Sequence, residues 1–143
     1  MNGAHFTDYN KSPLFFQQLP LLQPDVILIS LGTNEGVNPR VSQSEIKLAV
    51  EDMVSKIRKS NPDVSVVLLT PFDNYYRNKS YNKYLGVVRS AIVEVAKLQN
   101  LPYIDAYQIT GGYSSCSQWR KFGLLRPDGI HYMQDCYILQ GKI

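Results

Sequence analysis

Six residues, Val26-Ile27-Leu28-Ile29-Ser30-Leu31, stand between Asp25 and Gly32, apolar but for one serine. A run this short cannot make a stable buried helix. A strand covered on both faces, as in a parallel sheet, is what it predicts. A second run of the same kind, Val64-Ser65-Val66-Val67-Leu68-Leu69, stops at Pro71. Between them Ser42-x-x-Glu45 has the spacing of a helix capping box. Ile46, Ala49, Val50, Met53, Val54 and Ile57 follow at helical spacing, and the helix ends before Asn61-Pro62. Leu85, Val88, Ile92, Val95 and Ala96 predict a second amphipathic helix over 80–99, and Tyr103–Tyr107 a third, shorter strand. Alternating strands and helices with buried-type strands imply a parallel α/β sheet. Ahead of them, Ser12-Pro13 predicts the start of a short helix whose length Pro20 and Pro24 limit. The segment 108–131 has no periodicity, and so long a stretch within a domain is usually functional.

At 143 residues the chain is one domain's worth, and 44% apolar with 19% charged residues fits a packed core. The net charge of +3 is too mild, and its basic residues too dispersed, to indicate nucleic-acid binding. Arg77, Lys79 and Lys83, interleaved with Tyr75, Tyr76, Tyr81 and Tyr84, are the densest basic cluster; it could bind RNA or stack sugars, and a solvated loop and helix start is the favoured reading. No apolar run approaches the ~20 residues that span a bilayer. Cys116 and Cys136 are too few for a disulfide framework and lack metal-site spacing, so unpaired thiols are expected.

The chemistry-bearing residues fall at the ends of predicted elements. Asp128-Gly129-Ile130-His131 places a carboxylate and an imidazole across a turn set up by Pro127 and Gly129. Such a pair can serve as a general base with its orienting carboxylate. Asn34 follows Gly32 at the carboxyl end of the first strand, where open α/β sheets bind ligands. Its amide can donate to a developing oxyanion, a contribution of about 3 kcal/mol in hydrolases. Gly3, in Asn2-Gly3-Ala4, offers a backbone N–H as a second donor. Trp119 and Tyr113 either wall a sugar ring or acyl chain or cover the core. His5 reads as a surface histidine, Glu35 as a turn-holding carboxylate and Asp73 as a loop-stabilising one.

Gly3 in its turn, Gly32-Thr33-Asn34-Glu35 after a strand, and Asp128-x-x-His131 near the end resemble the SGNH (GDSL-like) hydrolases. The match runs in the family's order over essentially the whole chain. The resemblance implies a flavodoxin-like three-layer parallel sheet over residues 1–143 and a serine acyl-enzyme mechanism on ester substrates. It implies neither metal nor cofactor. Gly3 and Asn34 would be oxyanion donors, His131 the base and Asp128 its partner. A small acyl ester or an acetylated sugar is the implied substrate, and a secreted or periplasmic setting goes with it.

One block of that family has no counterpart. No Gly-Asp-Ser occurs in the chain, and the glycine block starts too early to leave room for it. Ser12 and Ser42 suit helix starts, Ser30 lies in the buried run, and Ser114, Ser115 and Ser117 fall in a Gly-rich loop. The expectation is a domain truncated at its N-terminus, without its first, central strand and its nucleophile, and truncated also at the C-terminus near Gly141-Lys142-Ile143. An apolar edge would then be exposed, and the chain would either pair it with a second copy or be poorly stable alone. The alternative expectation is a non-catalytic, hydrolase-like module that binds a glycan.

Overall fold

The computed structural model describes residues 3–142; Met1, Asn2 of the Asn-Gly-Ala turn and Ile143 lie outside the described residues. In chain order the elements are α1 (Phe6–Asn10), α2 (Pro13–Leu22), β1 (Val26–Ser30), a 3-10 turn (Glu35–Val37), α3 (Gln43–Ser60) and β2 (Ser65–Leu69). A small hairpin, β3 (Tyr75–Tyr76) and β4 (Ser80–Tyr81), follows. Then come α4 (Tyr84–Leu98), β5 (Tyr103–Ile104), α5 (Ala106–Ile109), α6 (Cys116–Lys121) and α7 (Gln134–Gln140).

The three long-range strands form one parallel sheet in the order β1-β2-β5, with Val26 opposite Ser65 and Leu68 opposite Tyr103. This is the parallel α/β sheet that the apolar runs imply, in the flavodoxin-like form that the resemblance implies. Ile29, Val66 and Leu68 point to the face packed against α3 and α4, whose stripes are buried along their whole length. All six positions expected to form the α3 stripe are buried, because 3.6-residue periodicity puts them on one side of the helix. The helices α1 and α2 close that layer by packing on α3.

The opposite sheet face differs from the expectation. Val26 and Leu28 are 57% and 54% exposed, so the β1 run is buried on one face, not two. A cavity lies on that side, bordered by α7, by Ala106 of α5 and by the loop that carries His131. Ser30 shares this face and is exposed, where the run had implied burial.

Local differences have local causes. Pro20 does not end α2; it forfeits a single helical bond, and the buried Leu19 with the Gln23 N–H to Leu19 C=O bond closes the last turn. Ser42 makes no capping bond, its hydroxyl instead meeting Ser44 Oγ at 2.8 Å. The strand expected over Tyr103–Tyr107 stops at Ile104 because Asp105 caps α5, accepting from the Gln108 N–H. The helix expected from residue 80 starts at Tyr84, since residues 75–81 form the hairpin. The free thiols Cys116 and Cys136 are both buried, in a second small core with Leu125 and Tyr132. No helix among the described residues is long and apolar enough to cross a membrane.

Candidate active site

Beyond β1 the chain turns at Gly32, whose φ of +116° and close packing admit only glycine. A Cβ there would sit 2.8 Å from Val88 Cγ1 and 3.3 Å from Pro71 Cδ. This turn carries Asn34 and Glu35 to the carboxyl end of the sheet. The two side chains lace the N-terminal segment down. Asn34 Nδ2 donates to the Ala4 carbonyl at 2.8 Å, and Glu35 Oε1 accepts the Phe6 N–H at 2.7 Å. Glu35 is buried, so its turn-holding role extends across the chain to residue 6. One of the two Asn34 amide protons is spent on Ala4; the second is free to meet an oxyanion. Gly3 stands beside this contact with φ +76°.

The Asp128–His131 turn forms the tip of a loop tied at its base. Arg126 N–H donates to His131 C=O at 2.8 Å, Met133 N–H to Leu124 C=O at 2.8 Å, and Leu125 bridges Tyr132. At the tip, Asp128 Oδ1 accepts the N–H groups of Ile130 (2.8 Å) and His131 (2.9 Å). Its other oxygen, Oδ2, lies 3.1 Å from His131 Nδ1. Partial burial opposes ionisation of Asp128. The two backbone donors and the imidazole outweigh it and hold the carboxyl at about 2. Asp128 is therefore an acceptor at neutral pH, and in the neutral imidazole this hydrogen bond favours the tautomer with its proton on Nδ1 and a lone pair on Nε2.

Gly3, Asn34 and His131 line one cavity of about 1040 Å³, together with Ser30, Phe72 and Tyr137. Asp128 does not line the cavity and meets His131 through Nδ1. The imidazole is 62% exposed, and among the described residues no hydroxyl hydrogen-bonds to it. Trp119 and Tyr113 do not line this cavity. They border a separate concavity of about 540 Å³. Trp119 packs its ring against Tyr132 and donates Nε1–H to Thr110 C=O at 3.1 Å, so it covers the second core. Tyr113 is 55% exposed and meets Tyr81 edge-on. His5 bonds Asp8 within the first turn of α1 and acts as its cap.

Two contributors went unread in the sequence. Tyr132, next to His131, is buried and donates its hydroxyl to the Asp73 carbonyl at 2.6 Å, fixing the base of the loop. Asp73, expected to stabilise a loop, is itself fully buried and accepts the Cys116 N–H at 3.0 Å. Burial raises the Asp73 carboxyl above its ordinary range, against the pull of the Cys116 donor. The β3–β4 hairpin is the other contributor. Its only sequence signal is Asn78, a residue tolerant of the left-handed turn conformation it adopts.

Solved structures share this fold. A structure described as a peptidoglycan O-acetylesterase superposes with a TM-score of 0.86 at 23% identity, over 95% of this chain and 40% of that one. A lipase/acylhydrolase from Enterococcus faecalis gives 0.70 at 24% identity, over 98% of this chain and 68% of that one. A carbohydrate esterase family 3 structure from Talaromyces cellulolyticus gives 0.70 at 20% identity, covering 93% and 60%. The chain thus spans well under half the length of the first of these. No curated protein sequence matches it. The family model described as GDSL-like Lipase/Acylhydrolase matches residues 5–137, a span that holds the Asn34 turn and the Asp128–His131 loop. The chain belongs to the GDSL-like lipase/acylhydrolase family.

Proposed function

We propose that this chain supplies the general base, its carboxylate partner and oxyanion donors of a serine ester hydrolase that removes O-acetyl groups from carbohydrate. The observation that carries the reading is the Asp128 Oδ2···His131 Nδ1 contact at 3.1 Å, on a cavity shared with Asn34 and Gly3. In the reaction a serine hydroxyl attacks the ester carbonyl and its proton passes to His131 Nε2. Asp128 stabilises the imidazolium through Nδ1–H. The oxyanion takes the free Asn34 amide proton and the Gly3 N–H. Collapse expels the sugar hydroxyl, protonated from Nε2, and water then deacylates the serine by the same route. The substrate class is supported by the neighbours described as a peptidoglycan O-acetylesterase, a carbohydrate esterase and an acetyl esterase.

The serine belongs, in this reading, to a Gly-Asp-Ser strand that pairs with the free edge of β1 and is not part of this sequence. The same edge would otherwise pair with a second copy. The test joins such a strand ahead of Gly3 and measures p-nitrophenyl acetate hydrolysis. The extended chain should turn over, His131→Ala should lower kcat by ~10⁴-fold or more, and Asn34→Ala by about 10²–10³-fold. Without the strand, the chain and its His131→Ala form should hydrolyse the ester at the same low rate. A His131-dependent rate in the unextended chain would overturn the placing of the serine. Turnover of the extended chain that ignores His131 would overturn the base assignment.

The second reading, a glycan-binding module without chemistry, draws on the absence of any hydroxyl partner at His131 among the described residues. Glycan binding that survives His131→Ala, with no turnover from the extended chain, would select it.

A further inference from the structure

We infer that Asn78 and Arg120 are positioning residues for His131: with Tyr75 they form a clamp that grips the Pro127–Gly129 turn and holds the Asp128–His131 pair in register. The inference rests on the catalytic reading above and goes beyond it.

The pair cannot hold itself. Asp128 and His131 side chains are 41% and 62% exposed. An ion pair in that setting contributes little, because holding two solvated side chains together costs entropy. Arg126 Nε, at 3.9 Å from Asp128 Oδ2, adds only a distant charge. A base that must meet a hydroxyl at hydrogen-bond distance needs firmer placement, since misplacement by 1 Å costs about 10²-fold in rate.

The hairpin provides it. Tyr75 N–H donates to Gly129 C=O at 2.8 Å, and Asn78 Nδ2 donates to Pro127 C=O at 2.9 Å. The carbonyls on both sides of Asp128 are thereby fixed from one element. Asn78 is held in turn by Arg120, whose guanidinium donates to Asn78 Oδ1 at 2.5 Å and lies 4.1 Å from the Tyr75 ring centre. Gly129 is the gripped residue. It is buried between the exposed Asp128 and the half-buried Ile130, and a Cβ there would stand 2.6 Å from Asn78 Oδ1 and 2.7 Å from the Arg120 guanidinium. The hairpin reaches this position with Arg77 and Asn78 both at positive φ (51° and 57°). Asn78 tolerates that conformation, whereas Arg77 is strained in it.

The test reads His131 in the 143-residue chain by ¹⁵N NMR of its imidazole, kept neutral. Wild type should show Nδ1–H with a lone pair on Nε2. Asn78→Gly retains the turn backbone and removes both side-chain contacts; Arg120→Ala removes the brace. Each should move a substantial fraction of His131 to the Nε2–H form. Each should also speed hydrogen exchange of the Tyr75 amide at least tenfold, with the α3 amides unchanged. Arg77→Gly, in the same turn but outside the clamp, should leave both signals as in wild type. If Asn78→Gly and Arg120→Ala keep the Nδ1–H form and the Tyr75 protection, the clamp is overturned while the catalytic reading stands. If wild-type His131 is itself Nε2–H, the catalytic reading fails and the positioning role falls with it. A change of the same size in Arg77→Gly would overturn the specific role of Asn78.

Discussion

Replacing Gly32 by alanine tests whether the turn beneath Asn34 is dictated by backbone and packing together. The backbone φ of +116° lies where an L-residue is strained by about 1–3 kcal/mol. The added methyl meets Val88 Cγ1 at 2.8 Å, Pro71 Cδ at 3.3 Å and Ile92 Cδ1 at 3.4 Å. Val88 and Ile92 are fully buried on α4, so relief requires moving a packed helix, an overpacking cost of about 1–3 kcal/mol. Alanine also narrows the unfolded ensemble, which offsets about 0.4–1 kcal/mol. The net loss expected is about 2–5 kcal/mol, a large share of the 5–15 kcal/mol typical of a domain. Gly86 is the matched control: it lies inside α4 at a helical φ, with nothing within 4 Å of an added Cβ. Gly86→Ala should therefore stabilise by about 0.5–1 kcal/mol. Urea unfolding followed by circular dichroism measures both. With m near 2 kcal/mol/M, Gly32→Ala should lower the midpoint by about 1–2.5 M and Gly86→Ala raise it by a few tenths. A Gly32→Ala midpoint within 0.3 M of wild type, roughly the control's size, would refute the account of the turn.

The two perturbed carboxyls should shape the pH dependence with opposite signs. Asp128, at about 2 when folded against ~3.9 unfolded, stabilises fully above pH ~4 and loses that contribution as pH falls toward 2. Asp73, raised by burial, favours folding below pH ~3.9 and loses its contribution as pH rises through its native value. Melting temperature against pH should accordingly flatten on the acid side in Asp128→Asn and at higher pH in Asp73→Asn; unchanged slopes in either would contradict its assignment. Arg89 grips Asp105 through Nε at 3.0 Å to each carboxylate oxygen, so Arg89→Ala should cost about 2 kcal/mol by denaturant titration. A loss below about 0.5 kcal/mol would show that the β5–α5 corner does not need the pair.

The parts of this protein legible in sequence are those governed by short-range rules. The α3 stripe and the β1 and β2 runs follow from periodicity, which depends only on neighbours along the chain. Gly32-Thr33-Asn34 and Asp128-x-x-His131 were legible for the same reason: the residue types that a glycine turn and an Asx-type turn require stand next to one another along the chain. Asp128 bonds the backbone two and three residues on, and no distant residue is needed for that.

Tertiary structure decided what lies between these islands. No local pattern marks that Phe6 reaches Glu35, that Tyr132 reaches Asp73, or that Asn78 reaches Pro127 across 49 residues. Nor did hydrophobicity reveal which face of β1 is covered, since Leu28 and Ile29 are equally apolar and only the position of α3 and α4 buries one of them. Trp119 could have walled a site or sealed a core, and its Thr110 bond and Tyr132 contact came from a packing arrangement that spacing does not encode. The sequence determined the chemistry available, an imidazole, a carboxylate and an amide at element ends. The fold decided their company, because hydrogen bonds and packing act over ångströms in space and not over distance along the chain.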